Sequence, residues 1–275
     1  MTSNFNLEKK MRVLRIGLMA VVAIVSQVVL ADVIDVKLHY VGPTEGSVWL
    51  GVQQGLEEAN VQGEFLGQTY SLQAETTEEL AKTKTPITAI LVAGDQQQIL
   101  AIAHNAKYAH IPVLNLLSDN NDLRKACLAN LLNLPASEQM KQDALEQWLA
   151  KHPESKAHVQ GWHEDFRKFA ASQLNSRFKK SHGIVMDNDA WSGWAAVKLL
   201  SDTVARNQTD DAAVILNYLR NEIAFDGQKG AGATFRDTGQ LRQLVLIVED
   251  NKLVAEAPLR GVKGGLDSLG LKSCK

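Results

Sequence analysis

The chain has 275 residues, of which 45% are hydrophobic and 22% charged, with a formal net charge of -2 at pH 7. That composition can bury an ordinary globular core. Near-neutrality, with no basic run interleaved with aromatics, gives no ground for binding nucleic acid or a charged membrane surface.

Residues 1–31 read as an export signal. Lys9, Lys10, Arg12 and Arg15 form a basic start, Ile16–Leu30 an apolar run, and Val29-Leu30-Ala31 a cleavage site. The run is short for a span and Ser26-Gln27 dilute it, which favours cleavage over an uncleaved anchor. The mature chain is then expected to begin at Asp32 and to work outside the cytoplasm, with no membrane insertion after cleavage.

A first strand is expected over Val33–Tyr40, followed by the Gly42-Pro43-Thr44-Glu45-Gly46 turn and a helix over Ser47–Asn60. A strand over Phe65–Gln73 and a short helix around Glu78–Lys82 come next. The organising unit follows. Ile87–Ala93 and Ile111–Leu117 are short unalternating apolar runs, as strands covered on both faces should be. Gly94 breaks the chain between them, and Asp95 is placed to cap a helix through Ile99, Leu100, Ile102, Ala103 and Ala106. A strand, helix and strand in about thirty residues imply parallel pairing and a right-handed crossover.

Asn120–Leu134 reads as loop and short turns, and Ser137–Lys151 as a helix capped by Ser137. The segment 151–161, KHPESKAHVQG, has neither a helix nor a strand period and reads as a linker stopped by Pro153. Three helices are expected beyond it, over Trp162–Lys180, Asp189–Arg206 (with Asp189 as cap) and Asp210–Asn221. A hairpin over Leu244–Glu249 and Leu253–Ala257 and a Gly-rich tail ending near Cys274 complete the chain. The fold class is therefore α/β, a single doubly wound, mostly parallel sheet flanked by helices.

Catalytic and metal signatures are missing from the sequence. The seven histidines lie at no tight ligand spacing, and Asp187-Asn188-Asp189 begins like a calcium loop but places Trp191 and Ser192 where an oxygen ligand and a glycine belong. Gly227–Gly232 lacks the ending of a phosphate loop and reads as a turn toward Phe235. Trp191 and Trp194 read as core. No cofactor is expected, and an enzyme is the weakest reading. In parallel sheets ligands gather beyond the carboxyl ends of the strands. Gly94, Asp95, Asn115, Ser118 and Asp119 stand there, with small or polar side chains suited to a polar or zwitterionic solute. Ordinary turn chemistry and helix capping are the alternative. Cys127 and Cys274 are the two cysteines; an exported chain permits their pairing, and two buried thiols remain the alternative.

The order of elements, with FLGQTYSL, DLRKACLANLLNLPASEQMKQDALEQWL and DAWSGWAAVKLLSDTVA, resembles the type I periplasmic substrate-binding proteins of ABC transporters. That group includes the branched-chain amino acid-binding proteins. FDGQKGAGATFRDTGQLRQ and the two cysteines are similar to the branch associated with PQQ-dependent alcohol oxidation. The resemblance covers most of residues 32–150 and 161–275. It implies a small-molecule solute, ABC transporter membrane subunits as partners, site residues in the loops named above, and a Cys127–Cys274 disulfide tying the tail to the lobe. Members of the family have two lobes; here residues 151–161 occupy the place of the second. The expected layout is an N-terminal part of the lobe over 32–150, the linker, and returning helices, hairpin and tail over 162–275. A single-lobe protein that binds a partner chain through its cleft face is the alternative function.

Overall fold

The computed structural model describes residues 33–274 apart from Ala231; the export segment and the expected cleavage after Ala31 lie outside the described residues. In chain order the elements are β1 (Ile34–Val41), α1 (Ser47–Leu66), β2 (Gln68–Ala74), α2 (Thr77–Lys82), β3 (Ala89–Val92), α3 (Gln96–Ala103), β4 (Val113–Asn115), α4 (Asp122–Lys125), β5 (Leu131–Asn133), α5 (Glu138–Leu149) and β6 (His158–Gln160). They continue with α6 (Ala171–His182), α7 (Asn188–Asn207), α8 (Ala212–Asn221), β7 (Val245–Glu249) and β8 (Lys252–Ala257).

Strands β1–β5 form one parallel sheet in the order β2-β1-β3-β4-β5. Alternation along β3 shows why both faces must be covered. Ala89 and Leu91 join the cluster under α1 and α7, whereas Ile90 and Val92 pack with Leu80, Ile99 and Ile102 from α2 and α3. All four are fully buried, which is why the sequence shows an unbroken apolar run instead of alternation. A separate antiparallel sheet, β6-β7-β8, packs its Val245 and Ile247 against Met140 and Ala144 of α5.

Several boundaries move relative to the sequence reading, each for a local reason. Helix α1 runs on to Leu66 because Gly67 adopts the left-handed conformation (φ 66°) that ends a helix, so Phe65 belongs to the helix and not to the next strand. Residues 120–134, read as loop, contain α4 and a fifth strand, β5, too short to show a period. The segment 151–161 contains β6, whose partner β7 lies far along the chain, His158 pairing with Val248 ninety positions away. The helix expected over Trp162–Lys180 begins only at Ala171. Asn175 holds the earlier part as turns: its Oδ1 accepts from Trp162 Nε1 at 2.8 Å and its Nδ2 donates to the Glu164 and Phe166 carbonyls at 3.1 and 3.3 Å. Asp187, not Asp189, caps α7, accepting the Ala190 N–H at 2.8 Å. Ser137 and Asp95 cap α5 and α3 as expected. Trp191 and Trp194 are core residues.

Helix α7 crosses α1 at backbone contact distance. A Cβ on Gly51 would stand 2.0 Å from the Ala190 carbonyl oxygen, and one on Gly193 2.3 Å from that of Val48. Neither neighbour is a flexible side chain, so the helices would have to separate. Gly193→Leu is expected to destabilise the fold by about 2 kcal/mol through overpacking, read as a lower urea midpoint with an unchanged slope.

Cys127 and Cys274 form a disulfide, with Cα atoms 5.9 Å apart. The tail preceding Cys274 is also held without it. Arg236, buried, donates to the carbonyls of Leu266, Leu269 and Leu271, and Asp143 Oδ2 accepts the Gly270 N–H.

Candidate ligand-binding site

Strand order locates the crevice. From β1 the chain turns to α1 on one face of the sheet, and from its neighbour β3 it turns to α3 on the other. Loops that diverge in this way leave room beyond the carboxyl ends of the two strands. Gly94 and Asp95 lie there. The loop after β4 is next to them, since Asn115 pairs with Val92 and the Leu116 N–H donates to the Val92 carbonyl at 2.9 Å. The five residues chosen from the sequence thus lie on adjacent loops at one edge of the sheet.

Their side chains are unequally available. Asp95 Oδ1 accepts the Gln98 N–H at 2.8 Å, leaving the second carboxylate oxygen of this exposed residue to solvent. Gly94 is covered: the Gln98 side chain folds back so far that a Cβ on Gly94 would stand 1.8 Å from Gln98 Oε1. Asn115 is buried, and its Nδ2 donates to the Ser118 carbonyl at 2.7 Å and to Asn133 Oδ1 at 2.9 Å. Its Oδ1 accepts the N–H groups of Leu117 and Ser118 at 3.2 and 2.9 Å, so the residue shapes its own loop. Asp119 Oδ2 lies 2.6 Å from Lys141 Nζ. Ser118 Oγ, half-buried, accepts one long bond from the Asn120 N–H at 3.4 Å and keeps its own hydrogen to donate.

Asp189, at the start of α7, joins this edge electrostatically. Desolvation pushes its carboxyl pKa up, the Asp187 and Asp119 carboxylates add to the rise, and Lys141 opposes it.

Two features here were not anticipated from sequence. A cleft of about 530 Å3 opens beyond β1 and β2, lined by Gly42, Thr44, Glu75, Thr76, Thr77 and Gln98 among others. Glu75 in its wall hydrogen-bonds the buried His39 through Nδ1 at 2.5 Å. Applying the carboxyl-end rule to β1, with its Gly-Pro-Thr-Glu-Gly turn, was the signal available. The second is Arg124. Its side chain is buried and donates to the carbonyls of Ser118 (3.0 Å), Asn120 (3.0 Å) and Pro135 (2.7 Å), and to Gln240 Oε1 (2.7 Å). Desolvation brings its pKa down to about 9, which still leaves it cationic at neutral pH. No sequence signal marked Arg124, because its acceptors are backbone carbonyls on two loops and the side chain of the distant Gln240.

No family model matches the chain, and no curated protein does. Solved structures match with high probability. One is an ABC transporter substrate-binding protein from Desulfitobacterium hafniense: TM-score 0.68, 12% identity, covering 80% of this chain and 99% of that one. The chain has the periplasmic binding protein fold. A leucine binding protein from Thermotoga maritima gives a TM-score of 0.64 at 13% identity, covering 80% of this chain and 98% of that one. A solute binding protein of an ABC transporter from Rhodopseudomonas palustris, in complex with 3,4-dihydroxybenzoic acid, gives 0.66 at 10% identity, covering 81% and 97%. An ABC transporter substrate-binding protein from Desulfitobacterium hafniense in complex with Leu gives a TM-score of 0.68 at 12% identity, covering 80% of this chain and 99% of that one.

Proposed function

We propose that this chain is an exported solute-binding protein of the ABC-transporter type, without catalytic activity, that delivers a small molecule to membrane subunits. The observation carrying the reading is the fold, which the chain has in common with substrate-binding proteins solved with Leu and with 3,4-dihydroxybenzoic acid. In this reading the cleft has one full wall. The parallel sheet supplies it. The link to PQQ-dependent alcohol oxidation rests on the sequence resemblance, and the export signal and the periplasmic location on the reading of residues 1–31. Among the described residues no helix is long and apolar enough to cross a membrane, which fits a protein meeting its transporter from outside the bilayer.

Gly94, Asp95, Asn115, Ser118 and Asp119 are the proposed ligand edge. Ser118 Oγ and the outer Asp95 oxygen are the direct contacts, with Asn115 and Asp119 holding the loop. Thermal-shift screening against amino acids, small organic acids and alcohol-oxidation products tests this. A ligand of this edge raises the unfolding midpoint by an amount that keeps growing with its concentration above Kd, and the double variant Asp95→Ser, Ser118→Ala removes the rise. If no compound in the screen gives a rise that the double variant removes, the assignment is rejected.

The internal engagement of Asn115 and Asp119 favours a second reading, a binding protein for another chain at the same face. A stable oligomer or complex that buries Ser118, with no small-molecule shift, would establish it.

A further inference from the structure

A different cavity, of about 340 Å3, lies between the start of α7 and the segment leading to β7. Its walls include Phe169, Trp191, Phe225, Leu241, Leu244 and Leu266. Lys229, Arg242 and Gln243 are its charged and amide side chains, and no acidic side chain is among the described residues lining it. The sequence reading treated Gly227–Gly232 as a turn, and the residue it carries into this cavity was missed.

Lys229 is 6% exposed. Its Nζ lies 2.6 Å from Gln243 Oε1 and 3.6 Å from the centre of the Trp191 ring. Gln243 is itself fixed, donating through Nε2 to the Leu134 carbonyl at 2.5 Å, and Trp191 Nε1 donates to the Gly227 carbonyl at 2.9 Å. The amine is therefore held in place from two sides, just beyond β5. An ammonium has three N–H groups, and one meets Gln243. Lys229 has no carboxylate partner among the ion pairs of the described residues. Arg242, by contrast, is engaged by Asp267, Thr234 and the Phe235 carbonyl. Desolvation depresses the Lys229 pKa well below the usual lysine range, the expected response of a buried cation lacking a counter-charge. A lysine that served packing alone would be better replaced by an apolar side chain of its length.

We propose that this cavity binds a small monocarboxylate with an aromatic or branched apolar body, its carboxylate against Lys229 Nζ. The body would lie among Trp191, Phe225, Leu241 and Leu244. The volume falls in the lower part of the range for small-molecule sites, and the composition, mostly apolar with a few placed polar groups, is of the same kind. This inference needs the cavity and the cation alone, and does not rest on delivery to a transporter or on the Asp95–Ser118 edge.

Isothermal titration of the full chain, purified as expressed, with benzoate, cyclohexanecarboxylate and benzamide tests it. Both acids should bind saturably, and the amide, equal in shape but uncharged, about tenfold or more weaker. Lys229→Met, which retains the length of the stem, should lose about 10- to 100-fold in affinity for the acids while its unfolding midpoint stays level or rises. Ala233→Leu narrows the same cavity without touching Lys229, and should weaken both acids even where Lys229→Met fails to fold. The Asp95→Ser, Ser118→Ala double variant should bind benzoate as the parent does. Equal binding of acid and amide, an unchanged Lys229→Met, loss of benzoate binding in the double variant, or no binding of either acid each overturns the proposal.

Discussion

Replacing Cys127 and Cys274 together by serine lowers the thermal midpoint by about 8–15 °C in scanning calorimetry, equivalent to about 3–5 kcal/mol for a fold of this size. The two residues are separated by 147 positions, so their bond closes a loop spanning more than half the chain. Restricting so long a loop in the unfolded state is worth up to about 5 kcal/mol by chain-entropy arithmetic. The folded state depends on the bond far less. Arg236 already clasps the carbonyls of Leu266, Leu269 and Leu271, and Asp143 holds Gly270. The serine variant should therefore keep its native spectrum below the transition and lose stability as a whole. A fall of under about 2 °C would mean that the unfolded chain was already constrained without the bridge.

Arg124→Met is expected to cost about 3–4 kcal/mol, with a fall of about 10 °C in the midpoint. Methionine can fill the stem of the side chain but offers no donor. The carbonyls of Ser118, Asn120 and Pro135 and the Gln240 Oε1 would each lose a charge-assisted partner in a buried setting. Not all four would be left unpaired, since the Ser118 carbonyl still accepts from Asn115 Nδ2 and the Pro135 carbonyl from Gln240 Nε2. Arg124→Lys should fall between, because a single ammonium cannot reach acceptors arranged around a planar fork. Any small-molecule shift that depends on Ser118 should weaken in both variants, with lysine restoring part of it. If Arg124→Met unfolds at the parental midpoint, the network adds no stability and Arg124 has been misread.

What the sequence revealed and what it hid follow from the range of the interactions concerned. The unit from Ala89 to Asn115 was legible because burial on two faces forces unbroken apolar runs, and because Asp95 satisfies an N–H only three residues away. The Ser137 cap was legible for the same reason. Strands β5 and β6 have three residues each, and their existence depends on partners elsewhere: Leu131–Asn133 on β4, and His158–Gln160 on β7. No local period can show that. The edge carrying Gly94, Asp95, Asn115, Ser118 and Asp119 followed from topology alone. That Asn115 is fully engaged, and that Gln98 covers Gly94, are facts of side-chain geometry. Lys229 was hidden in another way. A lysine between glycines reads as a solvated turn, and only Trp191 and Gln243, from distant segments, make it a buried cation.

The contact between Gly51 and Ala190, mirrored by Gly193 against Val48, bears on the order in which the molecule can assemble. Until α7 has been made, Val48 and Val52 of α1 lack the partner against which they are buried. At about 5–20 residues per second, roughly seven to thirty seconds separate the synthesis of α1 from that of α7. Through that interval the first strands can pair, yet the face of the sheet that α1 and α7 share stays only partly covered and adhesive. Because the closing contact spans about half the chain, loop-closure entropy also slows its formation once synthesis is complete. An unfinished chain is thus a natural client for a holding chaperone, and would stay so until the glycine faces of the two helices meet.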